Sequence, residues 1–137
     1  MNHWIVFQPS PPELWRFFPI GYFVTIAIEI PVLIVGLANR HPWKRKLMAG
    51  VWLTACTYPI VVLVLPLLLT GSSRATYLLV AETFAPVIEC ALFWLAFGSR
   101  SEVRSLMWRD FAAIVLANLA SFAVGELLNR WEWFGMI

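Results

Sequence analysis

The chain has 137 residues, of which 61% are hydrophobic and only 13% are charged, and its mean hydropathy is +0.76. Soluble domains carry about 25% charged residues, so this composition excludes an ordinary soluble protein and indicates one that crosses a membrane several times. The formal net charge is +2, and the basic residues fall mainly in two short segments between apolar stretches. The charge therefore indicates membrane topology and implies no nucleic-acid partner. The predicted fold class is all-α, with four transmembrane helices in one bundle.

The chain contains four apolar segments, each long enough to cross a bilayer. They form a central bundle that is preceded by an N-terminal arm and followed by a C-terminal tail. Residues 1–18 are expected to form an interfacial N-terminal arm, because they are rich in proline and tryptophan and lack the n-region and h-region of a cleaved signal. Residues 19–128 are the predicted transmembrane bundle, and residues 129–137 are an aromatic C-terminal tail. The predicted spans are residues 19–38, 47–69, 76–97 and 110–128.

The second span is expected to be the least regular helix, because Pro59 and Pro66 fall inside it. Proline has no backbone N–H, so each proline frees a carbonyl group that a neighbouring side chain must satisfy. The other helices have clearer ends. Pro19 suits the first position of the first helix, Gly98 suits the C-cap of the third, and Asp110 is well placed near the N-terminus of the fourth.

Lysine and arginine are concentrated between the first and second spans and between the third and fourth spans. Seven of the ten basic residues lie within residues 39–46 and 99–109. Cytoplasmic loops carry an excess of Lys and Arg, so these two loops are predicted to be cytoplasmic and both termini to lie outside the cytoplasm of a bacterial inner membrane. The eight tryptophans fall near the two predicted membrane boundaries, which is typical of an aromatic belt.

Four of the eight acidic residues, the glutamates at 29, 82, 89 and 126, lie in the interior of the apolar spans. A charge at the bilayer centre costs about 2.5–3.5 kcal/mol on insertion scales, so these residues must face protein, water or an ion. Two of them, Glu82 and Glu89, are seven residues apart and therefore lie on one face of a helix. We predict a buried polar site, and its candidate members are Glu29, Thr57, Tyr58, Glu82, Glu89, Asn118, Ser121 and Glu126.

Two interpretations of these residues remain open at this stage. In the first, Glu82 and Glu89 form a proton or cation site together with Thr57, Asn118 and Ser121. In the second, the same groups hydrogen-bond across helices as structural contacts, each worth about 0.6 kcal/mol. Buried acids in membranes are functional by default, whereas hydroxyl groups and amides more often hold helices together.

No catalytic or metal-binding motif accompanies the buried acids. Cys56 and Cys90 lack a CxxC or Cys/His pattern and are expected to pack as small apolar side chains. The two histidines, His3 and His41, lie outside the spans, which excludes axial ligation of haem by a membrane-buried histidine. The sequence contains no GxSxG, HExxH, P-loop or Rossmann glycine pattern. We therefore expect no catalytic residues, no metal, no cofactor and no enzymatic activity.

Three short motifs lie in the spans: Thr-x-Pro in the second (Thr57, Pro59), Glu-x6-Glu in the third (Glu82, Glu89) and Asn-x-x-Ser in the fourth (Asn118, Ser121). In this succession of motifs, which covers most of the chain, the protein resembles small uncharacterised bacterial four-span integral membrane proteins. In that group the break often has Asn at the middle position, where this chain has Tyr58. The resemblance implies an inner-membrane bundle and no established activity. Small multidrug transporters are similar in chain length, in having four spans and in having an acid in the first helix, but this chain has no GxxxG pair.

The sequence favours a small non-catalytic subunit or accessory protein of a larger membrane assembly. Its aromatic faces would pack against lipid and against other membrane protein chains or copies of itself. The alternative is a proton- or cation-coupled small carrier or channel in an oligomer. An intramembrane enzyme ranks third, because two carboxyl groups alone could perform acid–base chemistry.

Overall fold

The computed structural model describes residues 10–98 and 104–130, and every regular element within these two ranges is a helix. Helix α1 spans Pro11–Gly36, α2 spans Trp43–Leu68, α3 spans Arg74–Phe97 and α4 spans Arg104–Arg130. Each contains a segment long and apolar enough to cross a membrane. The prediction of an all-α bundle with four membrane-spanning helices is therefore confirmed, and the chain is a multi-pass membrane protein by helix length and hydropathy.

The four helices form a square in which each packs against two others. α1 and α3 both contact α2 and α4, whereas within the described ranges α1 does not contact α3 and α2 does not contact α4. Short connections make consecutive helices run in opposite directions. We call the end that contains residues 37–42 and the start of α4 the Asp110 end. The opposite end, which contains residues 69–73, the start of α1 and the end of α4, is the Ser72 end.

α1 begins at Pro11, about two turns before the predicted start at Pro19. The backbone N–H of Ser10 donates to Glu13 Oε2 at 3.2 Å, and prolines occupy the first turn, where a missing N–H loses no helical hydrogen bond. Pro19 lies inside the same helix. Most of the second half of the predicted arm is therefore helical, while residues 1–9 and 131–137 lie outside the described ranges.

α2 is the least regular helix, as the sequence predicts. Its α-helical part ends at Pro59 and is followed by a π-helical turn, Ile60–Val64, and a last short turn, Leu65–Leu68. In π geometry the carbonyl of Val61 would accept from residue 66, which is a proline without an N–H. The hydroxyl of Tyr77 in α3 instead donates to the Val61 carbonyl at 2.9 Å. A neighbouring helix thus satisfies the carbonyl that the proline leaves free.

The ends of the later helices agree with the sequence in part. Ser73 Oγ caps α3 by accepting from the N–H of Thr76 at 3.1 Å, after a turn in which Gly71 adopts a φ of 90° that favours glycine. Gly98 is the C-cap of α3, as predicted. The prediction for α4 is wrong at its start, since the helix begins at Arg104 and Asp110 lies in its second turn.

A buried apolar core fills the bundle toward the Asp110 end. Gly36 brings α1 close to α4 there, because a Cβ at this position would lie only 2.8 Å from Ala113 Cβ. Large apolar side chains such as Val35 and Trp108 point outward, as expected where lipid covers the surface. The core consists of Leu33, Leu37, Ala49, Leu53, Phe93, Met107, Ala113, Ile114 and Ala117.

Candidate functional site

A cavity of about 120 Å³ lies between the four helices, on the Ser72 side of the apolar core. Three glutamates line it, Glu29 from α1 and Glu82 and Glu89 from α3. A space of this size accommodates several water molecules, and its polar walls provide hydrogen-bonding partners for them. The other polar residues of the wall are Thr25, Thr54, Thr57, Tyr58, Asn118 and Ser121.

Glu29 is buried and connects α1 to both of its neighbours. Its Oε2 atom lies 2.7 Å from Thr54 Oγ1 of α2. Its Oε1 atom lies 2.8 Å from Ser121 Oγ of α4. Because Glu29 is only 3% exposed, both contacts are shielded from solvent and hold three helices at one point.

Glu89 makes the corresponding connection from the opposite corner of the square. Its Oε1 atom lies 2.6 Å from Thr57 Oγ1 of α2, and its Oε2 atom accepts from Asn118 Nδ2 of α4 at 2.7 Å. The two glutamates on α1 and α3 thus bind the same two intervening helices. Together they link all four helices through hydrogen bonds.

Each hydroxyl group in these contacts also lies near a backbone carbonyl of its own helix. Thr54 Oγ1 is 2.8 Å from the Gly50 carbonyl, Thr57 Oγ1 is 3.1 Å from the Leu53 carbonyl, and Ser121 Oγ is 2.9 Å from the Asn118 carbonyl. A hydroxyl carries one proton and can donate to only one of two acceptors. Each hydroxyl must therefore either donate to a carboxylate or receive a hydrogen bond from a protonated carboxyl group.

The hydrogen-bond network around Glu89 can accommodate a proton on the carboxyl group. A protonated Glu89 donates to Thr57 Oγ1, which then donates to the Leu53 carbonyl. The two hydrogens of Asn118 Nδ2 are directed to Glu89 Oε2 and, at 3.0 Å, to the Ile114 carbonyl. All four contacts then contain a hydrogen, whereas an ionised Glu89 leaves one contact without any. The arrangement can therefore gain or lose one proton by rotation of a hydroxyl group, without displacement of a helix.

The remaining predicted residues occupy different positions relative to the cavity. Glu82 is half-buried and lines the cavity nearer the Ser72 end. The Tyr58 ring also lines the cavity and packs on Phe18 and Tyr22, with ring centroids 5.3 and 5.6 Å apart. Its hydroxyl group lies close to Gly21, where a side chain would collide with it.

Glu126 is the one predicted candidate that does not line the cavity. Its Oε1 atom forms an ion pair with Arg74 Nη2 at 2.6 Å, on the partly exposed surface of the Ser72 end. Glu126 therefore lies outside the cavity, whereas the sequence grouped it with the candidates for the buried polar site. The helical rotation of about 80° between Asn118 and Glu126, at 100° per residue, is the reason.

Two polar residues of the cavity, Thr25 and Thr54, are not among the predicted members. Thr54 holds Glu29, and it lies one turn before Tyr58 on the same face of α2. Thr25 lies one turn before Glu29 on α1. The spacing of four residues from a predicted member was the signal that could have found them.

A second buried polar cluster, which the sequence did not predict as such, lies at the Asp110 end. Asp110 is completely buried, and its Oδ1 atom accepts from the backbone N–H of Ala38 at 2.8 Å. Its Oδ2 atom lies 3.0 Å from both Arg40 Nη2 and His41 Nε2. Asp110 thus binds the connection between α1 and α2 to the second turn of α4.

His41 lies outside the spans, as predicted, but it is buried rather than exposed in its loop. Its ring packs against Phe93 and Phe97, with centroids 5.3 and 5.9 Å away. Burial lowers the pKa of His41 because the charged form is poorly solvated, although its hydrogen bond to Asp110 partly opposes this effect. A neutral His41 donates from Nε2 to Asp110 and leaves Nδ1 as an acceptor facing Arg45.

Two further cations cap the C-terminus of α1, where the last carbonyl groups have no helical partner. Lys46 Nζ donates to the carbonyls of Ile34 and Leu37, both at 3.0 Å. Arg109 Nε donates to the carbonyl of Gly36, also at 3.0 Å. Lys46 and Arg109 therefore anchor the C-terminal end of α1 to α2 and α4.

The fold and the cavity define a class of protein, a multi-pass four-helix membrane protein with carboxyl groups buried between its helices. No family model, curated protein or solved structure matches the chain. The likeness of its motifs to small bacterial four-span proteins stays a prediction from sequence. Within the described ranges, no group of three or more His, Cys, Asp or Glu residues is arranged to hold a metal ion.

Proposed function

We propose that the protein is a small proton-coupled carrier or channel of a bacterial inner membrane, and that its proton site is the cavity lined by Glu29, Glu82 and Glu89. One observation carries this proposal. Three carboxyl groups from two diagonally opposed helices share one cavity of about 120 Å³. Buried acids that line a water-filled space are the groups from which membrane proteins build proton relays.

The hydrogen-bonding partners of Glu29 and Glu89 favour reversible proton binding by these carboxyl groups over a permanent negative charge on them. Among the described residues, no nitrogen of Lys, Arg or His lies within 4.0 Å of either carboxyl group, whereas Asp110 and Glu126 both have such partners. The donors around Glu29 and Glu89 are hydroxyl groups and one amide, which hydrogen-bond to either protonation state. This environment favours reversible protonation, and it requires no catalytic residue, metal or cofactor.

Proton flux in proteoliposomes tests the proposal. The purified protein is reconstituted around a pH-sensitive dye, and a potassium diffusion potential drives proton entry. Glu89→Gln keeps the size and the hydrogen-bonding capacity of the side chain but cannot bind the proton, so flux should fall to the level of protein-free vesicles. Glu126→Gln makes the same chemical change outside the cavity and should retain flux. A folded Glu89→Gln variant with unchanged flux, or a wild-type protein without flux under any imposed gradient, would contradict the proposal.

Infrared difference spectroscopy gives a second, direct measurement. Acidification of the wild-type protein should increase the carbonyl stretch of a protonated carboxyl group in a non-aqueous environment. That signal should be weakened in Glu89→Gln and in Glu29→Gln, and preserved in Glu126→Gln. This measurement reports proton binding even where no transported substrate has been supplied.

A subunit or accessory role is the second candidate, and it was the preferred interpretation of the sequence alone. It is favoured by the small buried fraction of the spans, since only 17–33% of the residues in their most apolar segments are buried inside the protein. The outer surfaces therefore need lipid or other chains to cover them. Gentle solubilisation followed by mass measurement distinguishes the two roles, because a carrier should purify alone or as a homo-oligomer and a subunit should retain different chains.

The proposed orientation places residues 39–46 and 99–109 in the cytoplasm and both termini outside it. Support comes from the distribution of basic residues, although Lys46 and Arg109 also serve as caps of α1. Cysteines introduced at Ser72 and at Asn39 test the orientation with a membrane-impermeant thiol reagent. Ser72→Cys should react in intact cells and Asn39→Cys only after the membrane is opened, and the reverse order would invert the topology.

A further inference from the structure

The packing on the two sides of the cavity is different. Glu29, Thr57, Glu89 and Asn118 form one layer, with one residue from each helix. One turn away on the same helix faces, toward the Asp110 end, lies a second layer. Its members are at most 2% exposed, and they are Leu33, Leu53, Phe93 and Ile114. We call these four residues the barrier layer.

On the opposite side of the cavity the packing is looser. One turn toward the Ser72 end lie four residues that line the cavity and are only half-buried, namely Thr25, Val61, Ala85 and Phe122. Beyond them on α4, a Cβ built on Gly125 would have no neighbouring atom within 4 Å among residues 10–98 and 104–130. Glu82, the half-buried glutamate, also lies on this side. The layer that forms the floor of the cavity, on the Asp110 side, is therefore fully buried, whereas the layer one turn away on the Ser72 side is only half-buried, although Ala81 and Tyr58 of the wall are buried there.

The barrier layer is also supported from behind. The ring of Phe93 packs on His41, whose Nε2 atom lies 3.0 Å from Asp110, so one member of the layer rests against the buried polar cluster. Behind Leu33, the carbonyls of Ile34 and Leu37 are held by Lys46. These contacts fix the ends of α1 and α4 around the floor of the cavity.

We infer that the barrier layer closes the cavity toward the Asp110 end, so that water and protons reach Glu82, Glu29 and Glu89 from the Ser72 end only. A close-packed apolar layer contains no space for a chain of water molecules. That the species reaching the glutamates is a transported proton rests on the proposed function. That access is from one side only rests on the packing of the barrier layer. In this conformation the site faces one side of the membrane, and passage to the other side requires the barrier layer to separate.

Cysteine accessibility tests the inference. The native cysteines are replaced (Cys56→Ala, Cys90→Ala), and a single cysteine is introduced as Ala85→Cys in the cavity wall. A small membrane-impermeant thiol reagent is applied to intact cells and to inverted vesicles. Ser72→Cys and Asn39→Cys identify which end each preparation exposes. Val87→Cys is the matched control, because Val87 lies two residues from Ala85 on α3 and is 60% exposed on the outer surface of the bundle.

The expected result is that Ala85→Cys reacts at least about tenfold faster from the side that labels Ser72→Cys. Val87→Cys, which faces lipid, should react slowly from both sides. Equal rates for Ala85→Cys from both sides, a faster rate from the Asn39 side, or no reaction from either side would each overturn the inference. One-sided labelling without any proton flux would refute the proposed function and leave the barrier layer standing, whereas Glu89-dependent flux with two-sided labelling would do the opposite.

Truncation of the barrier layer sharpens the test. Phe93→Ala in the Ala85→Cys background should make the cavity cysteine reactive from the Asn39 side as well. Leu53→Ala serves as a second variant if Phe93→Ala does not accumulate. Trp94→Ala, at a neighbouring residue that is 51% exposed, should leave the preference for one side unchanged. If a folded barrier variant keeps the wild-type preference, the closure lies elsewhere and the inference is wrong.

Discussion

At the Asp110 end of the bundle a buried carboxylate is paired with an arginine and a neutral histidine, whereas in the cavity two buried carboxyl groups are surrounded by hydroxyl groups and an amide. Arg40 and His41 both lie 3.0 Å from Asp110. Glu29 instead contacts the hydroxyl groups of Thr54 and Ser121. Glu89 contacts the hydroxyl group of Thr57 and the amide of Asn118. Every carboxyl oxygen of Asp110, Glu29 and Glu89 has a hydrogen-bonding partner, but only Asp110 also has a compensating charge beside it.

This difference in partners implies a difference in function. Asp110 forms a buried ion pair with Arg40, and removal of either member of this pair leaves an unpaired charge. A carboxyl group held by uncharged donors can exist with or without its proton. The Asp110 end therefore serves as an anchor that joins the connection between α1 and α2 to α4, and the proton binding proposed above is assigned to the cavity.

The largest expected effect is that of breaking the anchor. Asp110→Ala removes the acceptor of the Ala38 N–H and leaves Arg40 and His41 without their carboxylate. Breaking a buried pair by removing one partner costs about 3–5 kcal/mol, so the free energy of unfolding in mixed micelles should fall by that amount. Glu126→Ala, which breaks the partly exposed pair with Arg74, should cost about 0–1 kcal/mol. Equal losses in the two variants would remove the distinction between the two ends.

Glycine substitutions measure the difference in packing. Gly36→Ala places a methyl group 2.8 Å from Ala113 Cβ, between two backbones that cannot easily separate, and should destabilise the protein by about 1–3 kcal/mol. Gly125→Ala meets no atom within 4 Å in the part of the chain that the structure describes, and it should be neutral or stabilising by about 0.5–1 kcal/mol, through helix propensity. Thermal unfolding of the two variants side by side gives the comparison. A destabilising Gly125→Ala would mean that the Ser72 end is as closely packed as the Asp110 end.

Helix periodicity explains which parts of the site the sequence could predict. The spacing of seven between Glu82 and Glu89 placed both on one face of α3, and both line the cavity. Periodicity does not give the rotation of one helix relative to another. For that reason the sequence grouped Ser121 with Glu89, whereas its hydroxyl group lies against Glu29.

The anchor was less visible in the sequence, because its residues had another explanation. Lys46 and Arg109 were counted as indicators of topology, and their role as caps of α1 depends on where that helix ends relative to α2 and α4. Asp110 was placed at a helix terminus because the apolar segment begins there. The helix itself begins at Arg104, in a polar stretch that hydropathy does not identify as membrane-spanning.

Two substitutions of Glu89 separate structural hydrogen bonding from proton binding. Glu89→Gln retains contacts to Thr57 and Asn118 and should change the free energy of unfolding very little. Glu89→Leu loses these contacts, but both partners can still donate to the carbonyls of Leu53 and Ile114 in their own helices. The loss should therefore be only about 1 kcal/mol. A purely structural site predicts wild-type function in Glu89→Gln, whereas a proton site predicts a stable variant without proton flux.

The smallest effect concerns the pH dependence of the anchor. The pKa of His41 lies below its ordinary value of 6.5, so the folded protein holds the neutral ring while the unfolded chain binds a proton as the pH falls below about 6.5. Since the unfolded state then binds more protons, the contribution of His41 to stability is present above that pH and is lost as the pH falls toward its folded pKa. The slope of stability against pH that this residue contributes cannot exceed about 1.4 kcal/mol per pH unit.

His41→Gln keeps a donor for Asp110 but does not bind a proton. Its free energy of unfolding should therefore fall less than that of the wild type between about pH 7 and pH 5, and the two proteins should show the same pH dependence between about pH 8 and pH 7. If the wild-type protein instead gained stability relative to His41→Gln on acidification, His41 would be charged in the folded state. The contact between His41 and Asp110 would then be an ion pair, and protonation of His41 would stabilise the Asp110 end.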